Sequence, residues 1–278
     1  MAQQETFDLG NEPIRRSETC ALATVRRVAA MLNVDQGLYT EGAPLPRGWQ
    51  FILLGADTPR SALRGDGFPG LGVPLPDLGL PRLLLGGRRV QYFDDIAIGE
   101  TLQRESYVEK VSQKETANGP MAIVTIAHNL ISEKAGRVLA ETQTYLLMSA
   151  QTGPRKLAEA QAEVCFGDAE EVVPDDMLLF QYSALGFNSH RIHWDRAFAR
   201  DTEGFPDLVV NGGLATLLLT EHLRVTHGKS FSALTAKHIS PLFASRPLRL
   251  KAEAQGDVWM LRAFDDEGRL ALAIEALV

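Results

Sequence analysis

The chain has 278 residues, of which 45% are apolar and 23% charged, which is enough for one large domain or two small ones with their own cores. The formal net charge is -7 and no block of Lys and Arg stands out, so the usual electrostatic basis for binding nucleic acid is absent from the sequence. Two cysteines, Cys20 and Cys165, are too few for a disulfide framework or a zinc site, and we expect free thiols, a reducing compartment and no metal.

The N-terminal 18 residues lack the apolar core of a signal peptide, and their acidic side chains disfavour a transit peptide. Apolar runs elsewhere, such as "MAIVTIA", stop short of the ~20 residues that a membrane span needs. We therefore expect a cytoplasmic protein that has no membrane partner.

The first predicted element is a helix over residues 17–33, where apolar side chains recur at roughly helical spacing and Ser17 or Thr19 could serve as the cap. A long irregular stretch follows over residues 37–87 and is rich in Gly and Pro. Its aromatic residues and leucines argue against a disordered linker. We interpret it as a segment that wraps over the first half, since long loops in compact domains are usually functional.

Strand patterns occupy residues 88–148, in four segments that alternate apolar and polar residues or are rich in β-branched ones. The turns "ANGPM" and "EKAGR" separate the last three segments, which predicts an antiparallel meander. Helix, long loop and sheet together make up the first predicted domain, residues 1–150.

The second predicted domain, residues 151–278, opens with a polar connector over residues 151–174 and a strand near "MLLFQYSALGF". The strongest helix pattern of the chain runs from Gly212 to His227, after an Asn-Gly-Gly turn. Three or four antiparallel strands follow, separated by the turns "QGD" and "DDEG". Two halves with the same element order indicate an α+β double hot-dog fold, in which each antiparallel sheet wraps around a central helix.

The segment "FNSHRIHWD", residues 187–195, is crowded with groups that handle protons. We expect it to leave a strand and to face the amino end of the second central helix. That helix end presents free N–H groups and a partial positive charge, which suit a thioester carbonyl or its enolate. A histidine opposite it could move a proton at neutral pH.

The same segment, extended to "YSALGFNSHRIHWDRAFA", resembles the hydratase motif of the MaoC-like (R)-specific enoyl-CoA hydratases and dehydratases. The segments "LPRGWQFILL", "GPMAIVTIAHNL" and "EGFPDLVVNGGLATLLL" resemble, in order, the branch that contains 3-methylfumaryl-CoA (mesaconyl-C4-CoA) hydratase and mitochondrial hydroxyacyl-thioester dehydratase. Bacterial itaconyl-CoA hydratases are similar too. The resemblance runs from about residue 19 to the C-terminus.

Carried over by position, the resemblance places the catalytic histidine at His193, and Asn188 stands where most of the family has a catalytic Asp. An amide cannot act as a general base, so either Asn188 orients the water or another carboxylate takes part, and Asp195 is the nearest in sequence. Asp195 could instead cap the turn that follows it. Gly212 matches the glycine whose N–H faces the thioester oxygen.

Four further residues are predicted to contact the substrate: His190, Arg191, Asn211 and Gly213. Asn211 stands where many relatives have His. Arg191 could pair with a substrate carboxylate, and a surface salt bridge is the alternative. For Arg88 and Arg89 the alternatives are contact with CoA phosphates and a solvated strand edge. The remaining histidines, His128, His222, His227 and His238, are predicted to be structural.

The resemblance implies a hydro-lyase that binds an acyl-CoA and needs no cofactor, because coenzyme A is part of the substrate. Branched C5 dicarboxylic thioesters, such as itaconyl-CoA or 3-methylfumaryl-CoA, are the first expectation, and a fatty hydroxyacyl thioester is the second. An acyl-CoA thioesterase and a non-catalytic acyl-CoA binding protein remain alternatives. Hot-dog sheets generally pair, so a homodimer is expected.

Overall fold

The computed structural model describes residues 12–75, 78–116, 119–150, 167 and 169–278. Its centre is one antiparallel sheet in which ten strands follow the order β1-β3-β4-β5-β2-β7-β10-β9-β8-β6. The strands are β1 Ile14–Thr19, β2 Arg82–Tyr92, β3 Thr101–Thr116, β4 Gly119–Ser132, β5 Gly136–Met148, β6 Glu170–Val172, β7 Ala233–His238, β8 Leu248–Gln255, β9 Val258–Phe264 and β10 Leu270–Leu277. The α-helices are α1 Leu22–Met31, α2 Asp176–Leu185 and α3 Gly212–His227.

The two halves of the sheet have the same topology. From the outer edge inwards, β1-β3-β4-β5-β2 in one half corresponds to β6-β8-β9-β10-β7 in the other. Corresponding strands β2 and β7 pair with each other in the middle, where Arg88 is opposite Ala236. The expected duplication and the β3-β4-β5 meander are therefore confirmed, while the domain boundary at residue 150 stays a prediction.

Helix α3 begins and ends where the sequence predicts. Ten of its residues, from Leu214 to Leu223, are buried, and apolar residues of β8, β9 and β10 share their core. Gly228 ends the helix with φ +63°, a conformation that glycine adopts at little cost. In the described part of the chain no helix is long and apolar enough to cross a membrane.

The first predicted helix begins too early. Residues Ile14–Thr19 form a strand that pairs with β3, with Ile14 opposite Ser106, and their exposure alternates along the strand. The helix itself starts only at Leu22, and neither Ser17 nor Thr19 caps it. Edge pairing with β3 overrides the helical spacing at these positions.

The strand predicted near residue 177 is wrong, because this segment forms α2. The Asp175 carboxylate accepts a hydrogen bond from Leu178 N at 2.8 Å and so caps the helix. Leu179, Tyr182 and Ser183 are buried at helical spacing on one face. The segment of residues 187–195 therefore leaves a helix rather than a strand.

The long loop predicted over residues 37–87 ends earlier, because β2 begins at Arg82. The loop contacts both halves of the molecule and not the first half alone. Trp49 donates its indole N–H to the Glu221 carboxylate of α3 at 2.8 Å. A Cβ on Gly67 would lie 2.6 Å from the carbonyl oxygen of Ser189, so the loop lies directly against the proton-handling segment. Most of the predicted connector, residues 151–166 and 168, lies outside the described residues.

Candidate active site

The segment after α2 turns sharply at Phe187, which adopts φ +49°. Asn188 then donates its backbone N–H to the Ser183 carbonyl at 2.8 Å, which fixes the turn. The Asn188 side-chain oxygen accepts a hydrogen bond from His190 N at 3.1 Å. Its amide –NH₂ group therefore remains the donor end of that side chain.

His193 ends a short 3₁₀ turn, Arg191–His193, and is buried. Its Nδ1 lies 2.7 Å from the Val209 carbonyl oxygen, which can only accept, so Nδ1 carries the proton and Nε2 is left as the basic nitrogen. Burial is the main cause that lowers the pKa of His193 to about 3, the neighbouring His190 adds to it, and the hydrogen bond to Val209 opposes it. The ring is therefore neutral, with a free lone pair, at physiological pH.

His190 packs edge-on against His193, with the two ring centroids 5.5 Å apart. Its Nε2 lies 3.7 Å from Oδ2 of Asp66, and Oδ1 of the same carboxylate accepts a hydrogen bond from Phe68 N at 2.9 Å. Burial lowers the pKa of His190, and the charge of Asp66 opposes this shift. Asp66, from the long loop, thus places a carboxylate beside His190.

The amino end of α3 faces the same space. Asn211 occupies the cap position, but its side chain makes no capping hydrogen bond, so the N–H groups of the first turn are not taken up by a side-chain cap. A Cβ on Gly212 would lie 3.1 Å from His238 Cε1, and a Cβ on Gly213 would lie 2.1 Å from the Tyr182 hydroxyl. A side chain at Gly213 would collide with Tyr182, and one at Gly212 would be crowded by His238. Glycine at both positions therefore allows Tyr182 and His238 to pack closely against the start of α3.

A cavity of about 240 Å³ brings these groups together. Six of the predicted site residues line it: Asn188, His190, His193, Asn211, Gly212 and Gly213. A basic nitrogen, an amide donor and free helix N–H groups thus meet in one enclosed space, which can move a proton while stabilising a developing oxyanion. Among the described residues, no three His, Cys, Asp or Glu side chains are grouped as a metal site would need.

Comparison with known proteins shows the family to which the chain belongs. The sequence profile of hydroxyacyl-thioester dehydratase type 2 covers residues 48–244. Mesaconyl-C(4)-CoA hydratase from Chloroflexus aurantiacus is 32% identical over 252 residues, which are 91% of this chain and 90% of that protein. The chain belongs to the type 2 hydroxyacyl-thioester dehydratases. It is therefore a hydro-lyase that acts on acyl-CoA thioesters.

Two solved structures have the same fold as this dehydratase. A MaoC-like dehydratase from Phytophthora capsici superposes with a TM-score of 0.71 at 15% identity, covering 97% of this chain and 96% of that one. A Mycobacterium tuberculosis protein with a double hotdog fold superposes with a TM-score of 0.55 at 14% identity, covering 96% of each chain. The predicted α+β double hot-dog fold is confirmed.

Arg191 is the one predicted site residue that the cavity of this dehydratase does not include. Its guanidinium pairs with Asp195 at 2.8 Å and lies 4.2 Å from the Phe198 ring centroid. Asp195 in turn accepts a hydrogen bond from Phe198 N at 3.0 Å, and this bond, together with Arg191, lowers the pKa of Asp195. Asp195 is thus the cap of the following turn, and the Arg191 charge is neutralised outside the cavity.

The cavity of this dehydratase also contains Tyr145 and Tyr182, which the sequence did not single out. It further contains Arg88 and His238, for which the sequence predicts other roles. Arg88 is not on a solvated strand edge, because β2 is a central strand and the side chain is buried. His238, predicted to be structural, lies against Gly212, and its Nε2 has no hydrogen-bond partner in the described part of the chain. Burial, followed by the charge of Arg88, lowers the pKa of His238 to about 3.

Proposed function

We propose that this dehydratase adds water to a branched C5 dicarboxylic mono-CoA thioester, such as 3-methylfumaryl-CoA or itaconyl-CoA, or removes it in the reverse direction. The observation that carries the proposal is His193, held as a neutral base in the same cavity as the free amino end of α3. The similarity to mesaconyl-C(4)-CoA hydratase supports this choice of acyl group. The reaction requires no cofactor beyond the CoA that the substrate carries.

In the proposed mechanism the Asn188 –NH₂ group donates to the oxygen of the attacking water and so orients it. In 3-methylfumaryl-CoA, whose double bond is conjugated with the thioester, the water oxygen bonds to the β-carbon while His193 Nε2 takes one of the water's protons. The double-bond electrons shift onto the thioester oxygen, and the Gly212 N–H stabilises the resulting enolate. The imidazolium then returns the proton to the α-carbon, so that H and OH have been added to the double bond.

One histidine can serve as both base and acid in this scheme. Its Nδ1–H remains bonded to the Val209 carbonyl, which stabilises the positive charge that forms when Nε2 is protonated. Asn188 cannot take a proton itself, and Asp195 is already engaged by Arg191 and Phe198 N. The expected homodimer is not required for any of these steps and stays a prediction.

The test is His193→Gln, with His227→Gln as a matched control because His227 lies at the opposite end of α3. Turnover of 3-methylfumaryl-CoA is followed by the absorbance of the conjugated thioester. Loss of the general base should lower kcat by roughly 10²–10⁴-fold, and the control should keep its rate. Unchanged kcat in His193→Gln would overturn the mechanism.

A further inference from the structure

A second, smaller cavity of about 110 Å³ adjoins the catalytic cavity. The long loop covers this smaller cavity on one side through Gly55 and Leu71, and the sheet bounds it on the other through His128 and Gln143. Five residues line both spaces: Phe68, Arg88, Tyr145, Tyr182 and Asn188. An acyl group whose thioester lies at the amino end of α3 can therefore extend past Arg88 into the smaller cavity.

Arg88 stands at the junction of the two spaces with unused donors. Its Nε lies 3.2 Å from the Glu141 carboxylate, which attracts it but receives no well-aligned hydrogen bond. Glu141 is instead held by amide donors of Gln143 at 2.6 Å and Gln50 at 2.9 Å. Within the described residues no acceptor takes a hydrogen bond from the Arg88 guanidinium, although only 8% of the residue is exposed.

The charge of this side chain persists despite burial. Burial by itself disfavours the cation, but Glu141 and the surrounding tyrosine hydroxyls outweigh it, and the pKa of Arg88 is raised. Burial also raises the pKa of Tyr182 to about 12, so its hydroxyl stays protonated and can donate. Of the three guanidinium nitrogens, only Nε is fully buried without a hydrogen bond among the described residues. The other two remain open to the cavity that Arg88 lines, where a ligand can accept hydrogen bonds from them.

The position of Arg88 selects the kind of ligand. Contact with a CoA phosphate is the weaker alternative, because only 8% of Arg88 is exposed. Its Nη2 lies 3.6 Å from the place that a Cβ on Gly213 would take, beside the amides that hold the thioester oxygen. The planar fork of a guanidinium matches a carboxylate, which at this place must be attached within one or two carbons of the thioester.

The smaller cavity also disfavours a long fatty acyl chain. Its volume of about 110 Å³ is less than half the 240 Å³ of the catalytic cavity. The sheet side of the smaller cavity presents polar groups, from Gln143, Tyr145 and His128, against which methylene groups would gain little. A carboxylate and a methyl group on the β-carbon suit both its size and its polarity.

We infer that Arg88 binds the free carboxylate on the β-carbon of the acyl group and so sets the specificity of this site for C5 dicarboxylic mono-CoA thioesters. The inference rests on the proposed function. Arg88 comes from the first half of the chain and His193 from the second, so specificity and proton transfer are divided between the halves.

The experiment compares two substrates in each variant, citramalyl-CoA and 3-hydroxy-3-methylbutyryl-CoA, which differ only in a carboxylate replaced by a methyl group. Water loss is followed by the absorbance of the conjugated product, and the ratio of the two kcat/KM values is measured. We expect Arg88→Gln to lower this ratio by ~100-fold or more, because a site built to bind a polar group strongly rejects its absence. Arg89→Gln, on the exposed side of β2, should leave the ratio unchanged.

Partial loss of folded protein lowers both kcat/KM values by the same factor, so their ratio is unaffected. The double variant Arg88→Gln/Glu141→Gln serves as a second control, because it does not leave Glu141 as a buried unpaired charge. It should lose the preference as the single variant does, whereas Glu141→Gln alone should keep it. Recognition by Arg88 is overturned if the kcat/KM ratio changes less than threefold in both Arg88 variants, or if the parent chain turns over both substrates at equal rates. The hydratase function stands in either case. Absence of turnover with both substrates overturns the proposed function and this inference with it.

Discussion

Acidification should destabilise this dehydratase through buried neutral histidines, and His128 offers the clearest test. The residue lies on β4, is 4% exposed, and has its Nδ1 2.8 Å from the Ser106 hydroxyl. Burial is the largest cause that lowers its pKa to about 3, and the charges of three arginines, Arg104, Arg88 and Arg16, act in the same direction.

The sign of the effect follows from proton uptake. In the unfolded chain a histidine has a pKa near 6.5 and takes up a proton as the pH falls below that value. The folded His128 stays neutral down to a pH of about 3, so its contribution to stability is complete above pH ~6.5 and is lost progressively towards pH 3. Between pH 7 and pH 5 the loss amounts to about 2 kcal/mol, at about 1.4 kcal/mol per pH unit.

The assay is urea denaturation of the parent chain and of His128→Gln at pH 7 and at pH 5. Carboxylates titrate equally in both proteins, so the difference between the two losses isolates this histidine. The free energy of unfolding of the parent should fall by about 2 kcal/mol more than that of the variant. Losses that agree within about 0.5 kcal/mol would refute the reasoning.

Two further predictions concern the site. Gly213→Ala should lower both the thermal midpoint and kcat, because the added Cβ would lie 2.1 Å from the Tyr182 hydroxyl, and Tyr182→Phe in the same chain should restore part of the thermal midpoint. A Gly213→Ala variant as stable and active as its parent would contradict the close approach seen here. Asp195→Ala should lower the free energy of unfolding through loss of the cap, while kcat for 3-methylfumaryl-CoA changes less than threefold. A hundredfold loss of kcat would instead make Asp195 the missing carboxylate.

The sequence predicts those parts of the site that are local in the chain. The glycine turn before α3 and the apolar periodicity after it define the helix start at Gly212, and His193 stands out through its motif. The sequence predicts a strand in place of α2 because "MLLF" is a contiguous apolar run, which fits a strand as well as a helix. The capping role of Asp175 was the signal that separates the two.

Residues that strand pairing brings into the site cannot be identified from the sequence alone. Arg88 gains its role from the neighbouring strand β5, where Gln143 lies opposite it and Glu141 lies within ion-pair distance. His238 reaches the amino end of α3 because β7 is placed next to β2. A pattern along one strand shows which side chains share a face, but it does not show which other strand supplies their partners.

The pairing of β2 with β7 has a consequence for how this site can change. When two identical chains assemble a symmetric sheet, every substitution appears twice, and a pocket must work with the same side chain on both sides. One continuous chain removes that constraint, so one repeat can specialise in holding the acyl end while the other keeps the chemistry. Altering substrate preference by mutating β2 is thus open to engineering without touching the proton-transfer machinery.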